Sequence, residues 1–353
     1  MTTSSRRLLL VLTLTCWSSA TWADAVSWCD VPAQGLSPTA RMQKSLSIVT
    51  DTPPSPMALL HTEGSLPSDP LHKASLDARK DLPRMLDAAL SWRVSGDPAT
   101  LQAVQRYLDA WVSTYRPSMN PIDETYFDAL FQSYAIVAPA LPASETARIR
   151  PYLRNWAQGY IASIDAAGNA TRDKSRIGKW NSNWQSHRVK IVTMIAGVLN
   201  DDRLFAEARR LFRQQVATNI DGKTGETLDF IDRDAVHYVV FDLEPLAEAA
   251  LVAQGRGEDW YHWSAPSGSS LAKAMEWLRP YATGEKTHDE FVHSRVKFDA
   301  ERAAAGMKGY DGAFDPTFHA DLYWYASKFD PSFHAIASKL QPVPPTELAY
   351  CGR

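Results

Sequence analysis

The chain has little cysteine, little net charge and, beyond its N-terminus, no long apolar run. Its 353 residues carry a formal charge of −3, so no general basic field for nucleic acid exists. Any acidic ligand must be met by local cations. No cysteine–histidine spacing resembles a zinc site, and no glycine-rich loop suits a nucleotide phosphate. No later segment is long enough for a transmembrane helix. Strand-like alternation and low-complexity linkers are also missing. These absences predict one domain that needs no cofactor or metal, binds no nucleic acid, has no membrane span and works as a monomer.

What is there begins with a leader. Arg6 and Arg7, an apolar stretch over 8–15 and small residues over 20–25 predict a secretory signal over residues 1–23. The remainder, 24–353, is then one exported domain, with the periplasm as its expected location. Cys16 falls inside the leader. Cys29 and Cys351 remain near opposite ends, either paired in an oxidising compartment or as two free thiols.

Apolar residues recur at helical period along most of the chain. Helices are expected over 75–94, 99–115, 122–138, 144–164, 182–199, 202–218 and 233–254, with helical pairs to about 279. A polar loop fills 165–178, and the tail reads as loops with one helix over 320–327. Helices joined by short loops, without a long heptad, predict an all-α fold of hairpins in a ring or bundle.

Two polar clusters carry candidate chemistry. The first runs Lys179-Trp180-Asn181-Ser182-Asn183-Trp184-Gln185-Ser186-His187-Arg188. On one helix Asn183 and His187 share a face, as do Trp180 and Trp184. The plainer reading is an N-terminal cap with aromatic packing. The sharper one is a sugar site with indoles for stacking and with amides and cations for carboxylates. The second cluster is Arg233-Asp234-Ala235-Val236-His237-Tyr238, in which Arg233 and His237 are four apart. The plainer alternative there is an ion pair beside a buried aromatic. Asn120 to Glu124 reads equally as a substrate loop or as a turn with a helix cap.

Three stretches resemble the alginate lyase family, the helical-toroid polyuronate lyases. His61-Thr62-Glu63-Gly64-Ser65 resembles an early Lys-Tyr-Glu-Gly-Ser motif. Ser182-Asn183-Trp184 falls where the family has Asn-Asn-His. Tyr238 through Leu243-Glu244-Pro245-Leu246 is similar to a tyrosine motif ending Leu-Pro-Pro-Leu. The likeness covers about 59–250. It implies an (α/α) incomplete toroid and β-elimination on an acidic, uronate-containing polysaccharide. Such a reaction needs a neutralised carboxylate, a base for the C5 proton and an acid for the leaving oxygen.

Asn183 and Tyr238 match the family pattern directly. Its lysine falls on His61, its histidine on Trp184 and its arginine on Ile231. The resemblance therefore assigns catalysis to Asn183, His187, Arg233, His237 and Tyr238, with His187 and His237 competing to replace the absent histidine. Substrate contacts fall to His61, Glu63, Lys179, Trp180, Trp184 and Arg188. Two other readings remain: a glycoside hydrolase using two of Asp123, Glu124, Asp232 and Asp234, and a non-catalytic exopolysaccharide-binding protein.

Overall fold

The computed structural model describes residues 39–174 and 177–344. The leader, Cys29 and Cys351 lie outside the described residues. The architecture is all-α, and the only β pairings among the described residues are two isolated bridges.

Caps set most helix starts. Thr39 opens α1 (Ala40–Asp51) by accepting the Met42 N–H. Asp69 opens α2 (Pro70–Arg79), whose Pro70 needs no donor at the first position. The expected helix over 75–94 is in fact the end of α2 and α3 (Asp81–Ser95), separated at Lys80. Asp97 caps α4 (Pro98–Thr114). Asn120 caps α5 (Pro121–Glu124), so the Asn120 to Glu124 stretch is a turn and cap. A 3₁₀ turn follows before α6 (Asp128–Val137). After α7 (Ala143–Ala167) a second 3₁₀ turn occupies part of the expected polar loop.

The later helices are α8 (Asn183–Leu199), α9 (Asp202–Asn219), α10 (Leu228–Arg233), α11 (Val236–Gly255) and α12 (Leu271–Thr283). The tail holds α13 (Lys297–Ala304), α14 (Asp321–Ala326) and α15 (Phe333–Leu340), where one helix was expected.

Helices alternate between two layers. α3, α6, α8, α11 and α14 pack each against the next, while α4, α7, α9, α12 and α15 return the chain outside them. The sequence encodes this difference. Every residue of α8 except Trp184 is buried, whereas α9 shows one apolar face. Because an outer helix separates successive inner ones, the inner helices point the same way. Their N-terminal ends share one face of the ring, where the amide dipoles favour anions.

Candidate functional site

The site is built where α8 and α11 begin, and α10 joins them. Ser182, the N-cap residue of α8, makes no side-chain cap bond. Asp229 of α10 does that work from across the chain. Its Oδ2 accepts the Asn183 N–H at 2.8 Å, and its Oδ1 accepts the Asn183 amide at 2.5 Å. Burial pushes Asp229 up to about 6, opposed by Arg233 and by these bonds.

One turn further on, Arg233 ends α10. It donates to Asp299 at 2.5 Å and lies 3.9 Å from the centre of the Tyr238 ring. The expected continuous helix over 233–254 does not form, and Arg233 and His237 are not one turn apart on one helix. Asp234 is left-handed at φ 51° and breaks it. Tertiary bonds hold the break: Phe291 N donates to the Asp234 carbonyl at 2.8 Å, and His293 N donates to its carboxylate at 2.9 Å.

Tyr238, in the first turn of α11, is nearly buried. Arg302 Nη1 donates to its hydroxyl at 2.9 Å, and the Tyr310 hydroxyl lies 3.1 Å away. Asp299 stands 3.6 Å from Arg302, so one carboxylate serves two guanidiniums. The local balance around the phenol is cationic. Burial and then the Tyr238 neighbour raise the Tyr310 hydroxyl well above its ordinary value.

His237 lies beside Tyr238, with its ring centre 5.3 Å from that of Tyr238 and 5.4 Å from that of Tyr310. Its ring stacks on Phe318 at 3.7 Å, and burial, then His319, Arg233 and Arg302, pull it down to about 3. It is therefore neutral at neutral pH. Its backbone N–H donates to Glu290, which also takes the Val236 N–H. Gly309 presses on this ring: a Cβ there would lie 2.9 Å from Nδ1, and its φ is 87°.

The other predicted residues fall into separate places. His187 is enclosed, with Nδ1 2.7 Å from Thr125 Oγ1 and its ring 4.4 Å from Phe241. Burial, then Lys190, hold it well below its ordinary value. Arg188 lies 4.1 Å from the Trp180 ring and 5.7 Å from Trp184, while Lys179 lies 4.8 Å from Trp184. Arg188 donates to the Lys179 carbonyl and to Gln185, and burial lowers it to about 10.

His61, Thr62 and Glu63 are clamped by Asp123. Its Oδ1 accepts Thr62 N at 2.6 Å and Glu63 N at 2.8 Å, and His61 Nδ1 lies 3.3 Å from Oδ2. Glu124 is buried and accepts from Tyr115, Trp156 and Tyr160. Asp123, Glu124 and Asp234 thus serve as internal acceptors.

The structure therefore brings Asn183, Arg233 and Tyr238 into one array through Asp229. It sets His187 beneath Phe241 and His237 on a cavity. The sequence reading missed Asp229, Asp299, Arg302 and Tyr310. The i, i+3 spacing of Asp299 and Arg302 was visible, but nothing local ties them to a tyrosine 64 residues earlier.

Two cavities lie along α11. One, of about 550 Å³, is lined by His237, Glu290, Phe318 and His319. The other, of about 700 Å³, opens among α3, α6, α11 and α14. His319 lines both. Its Nδ1 lies 2.6 Å from Glu244; burial lowers its pKa, but Glu244 outweighs this and the net direction is up. Beneath, buried Lys190 bridges Asp128 at 3.0 Å and Glu248 at 3.2 Å. Among the described residues no group of His, Cys, Asp and Glu is placed to hold a metal ion, and no helix is long and apolar enough to cross a membrane.

Comparison with known proteins bears on this geometry. The family profile described as Alginate lyase matches residues 32–288. A polysaccharide lyase of Stenotrophomonas maltophilia (strain K279a) is 26% identical over 192 residues, 51% of this chain and 54% of that protein. The chain thus spans about half the length of this curated relative. Alginate lyase A1-III from Sphingomonas species A1 superposes with a TM-score of 0.59 at 16% identity, over 92% of this chain and 94% of that one. An alginate lyase from Bacteroides ovatus gives 0.60 at 15%, over 89% and 92%. At these identities the structures establish the shared helical toroid.

Proposed function

The chain belongs to the alginate lyase family, and from that membership we propose that it is a polysaccharide lyase cleaving an acidic, uronate-containing polysaccharide such as alginate by β-elimination. The observation that carries this reading is Tyr238, whose hydroxyl receives an N–H from Arg302 while Arg233 covers its ring. Two guanidiniums able to bind a carboxylate thus stand beside a phenol, a group able to take and return a proton.

In this mechanism the substrate carboxylate is neutralised by Arg233, Arg302 and the Asn183 amide. Neutralisation acidifies the C5 proton and stabilises the enolate-like charge that forms when it leaves. Tyr238 takes that proton. The C4–O4 bond breaks as the C4–C5 double bond forms, and the tyrosine proton passes to the departing oxygen. Side chains supply every proton, so no cofactor is required. His237, neutral and lining a cavity, is the imidazole placed to hydrogen-bond substrate. His187 supports Phe241 from inside. Trp180, Trp184, Lys179, His61 and Glu63 are assigned to outer sugar contacts, and buried Arg188 to holding Trp180 and the Lys179 carbonyl behind them. The proposed setting is the periplasm, reached through the leader over 1–23, with 24–353 as one monomeric domain.

A product assay tests the proposal. Purified protein on a panel of alginate, mannuronan and polygalacturonate should raise the absorbance of unsaturated uronate, and Tyr238→Phe should abolish the rise. Reducing ends without that absorbance would point to hydrolysis. Tight binding without turnover, unaltered in Tyr238→Phe, would point to a binding protein.

A further inference from the structure

The larger cavity lies at the open mouth of the ring, away from Tyr238, and its charges are unequally engaged. Three carboxylates line it, and each already has a partner. Asp128 meets Lys190 at 3.0 Å, Glu244 meets His319 at 2.6 Å, and Asp321 accepts from Gln341. The cations differ. Arg79 meets no carboxylate among the described residues. Its guanidinium lies over the Tyr126 ring, with Cζ 3.7 Å from the ring centre. Stacking fixes the plane of a guanidinium and leaves its edge N–H groups free for a two-point contact with a carboxylate.

We propose that this mouth, centred on Arg79 and Tyr126, is a carboxylate subsite holding a uronate unit of the polymer beyond those at Tyr238. Lys80 and Arg41 line the same cavity, although Asp77 and Asp87 already pair with them at 2.7 and 3.3 Å. Arg79 is therefore the cation with an unmet demand. His319 forms a wall of both cavities, so a chain leaving the His237 side passes it to reach Arg79. The N-terminal ends of α3 and α6 at this cavity add favourable dipoles.

The subsite rests on the uronate reading above, and the test separates the two. Calorimetry measures binding of a diuronate and a hexauronate to Tyr238→Phe protein, with and without Arg79→Gln. The expected result is a preference for the longer oligomer that falls about tenfold with Arg79→Gln. Arg79→Lys, which keeps the charge and loses the planar fork, should give a smaller fall. Thermal melting confirms that each variant is folded, and Arg79→Lys alone suffices if Arg79→Gln is not. An unaltered length preference overturns the subsite whatever the wild type cleaves. A wild type that binds hexauronate through Arg79 but forms no unsaturated product sinks the lyase reading and leaves the subsite standing.

Discussion

The two polar clusters contain similar residue types, yet the structure uses them in opposite ways. At the start of α8, Asn183 is bound to a buried acid, Asp229, behind which Asp242 is also driven far up by burial and by Asp229. At the start of α11, Tyr238 sits between Arg233 and Arg302. The first cluster is a scaffold weighted toward acids. The second is cationic and can receive an anion. Amides and arginines in a sequence do not say which of these they will be; the partners brought in from distant segments decide it.

Variants at the two clusters should therefore fail in different ways. Tyr238→Phe should lower kcat by about 10²–10⁴-fold at a stability cost of about 1–3 kcal/mol, since the hydroxyl that takes and returns the proton also accepts from Arg302. A loss of under threefold would place the acid–base group elsewhere. Arg302→Met should lower kcat/KM by about 10–100-fold, the range of one charged hydrogen bond. Steady-state rates on the same polymer check both.

Asp229→Ala addresses the scaffold. It leaves two buried donors of Asn183 unmet and should cost about 1–3 kcal/mol of stability, read by chemical denaturation. An activity loss without a stability loss would mean that Asn183 meets substrate independently of its acid. Smaller still is a pH effect at Glu290. Burial raises its pKa from 4.5 to about 8, against the bonds from His237 and Val236. In that window the folded state holds more protons than the unfolded one, so stability falls as pH rises from about 4.5 to 8. Glu290→Gln should flatten this slope in melts across pH, and a slope that persists would assign it to other buried acids such as Glu248.

Much of the ring was legible from periodicity alone, because α4, α7, α8 and α9 alternate or saturate with apolar residues at helical spacing. The resemblance located Asn183 and Tyr238. What stayed hidden depends on distant partners. The pattern over 233–254 is helical, and the break at Asp234 exists because 288–293 supply its hydrogen bonds. Likewise α13 is short and weakly patterned, so neither Arg302 nor its pairing with Tyr238 could be foreseen. The substitution of Trp184 for the family's histidine was visible, and the structure gives it a packing role beside Lys179 and Arg188.

The bond from Arg302 to Tyr238 spans 64 residues, and this sets an order in time. A growing chain makes its N-terminal part first. The inner helices through α11 are complete before Arg302 and Tyr310 have been made. Until they arrive, the phenol has neither its donor nor its neighbour. The setting of Tyr238 therefore needs the chain through residue 310.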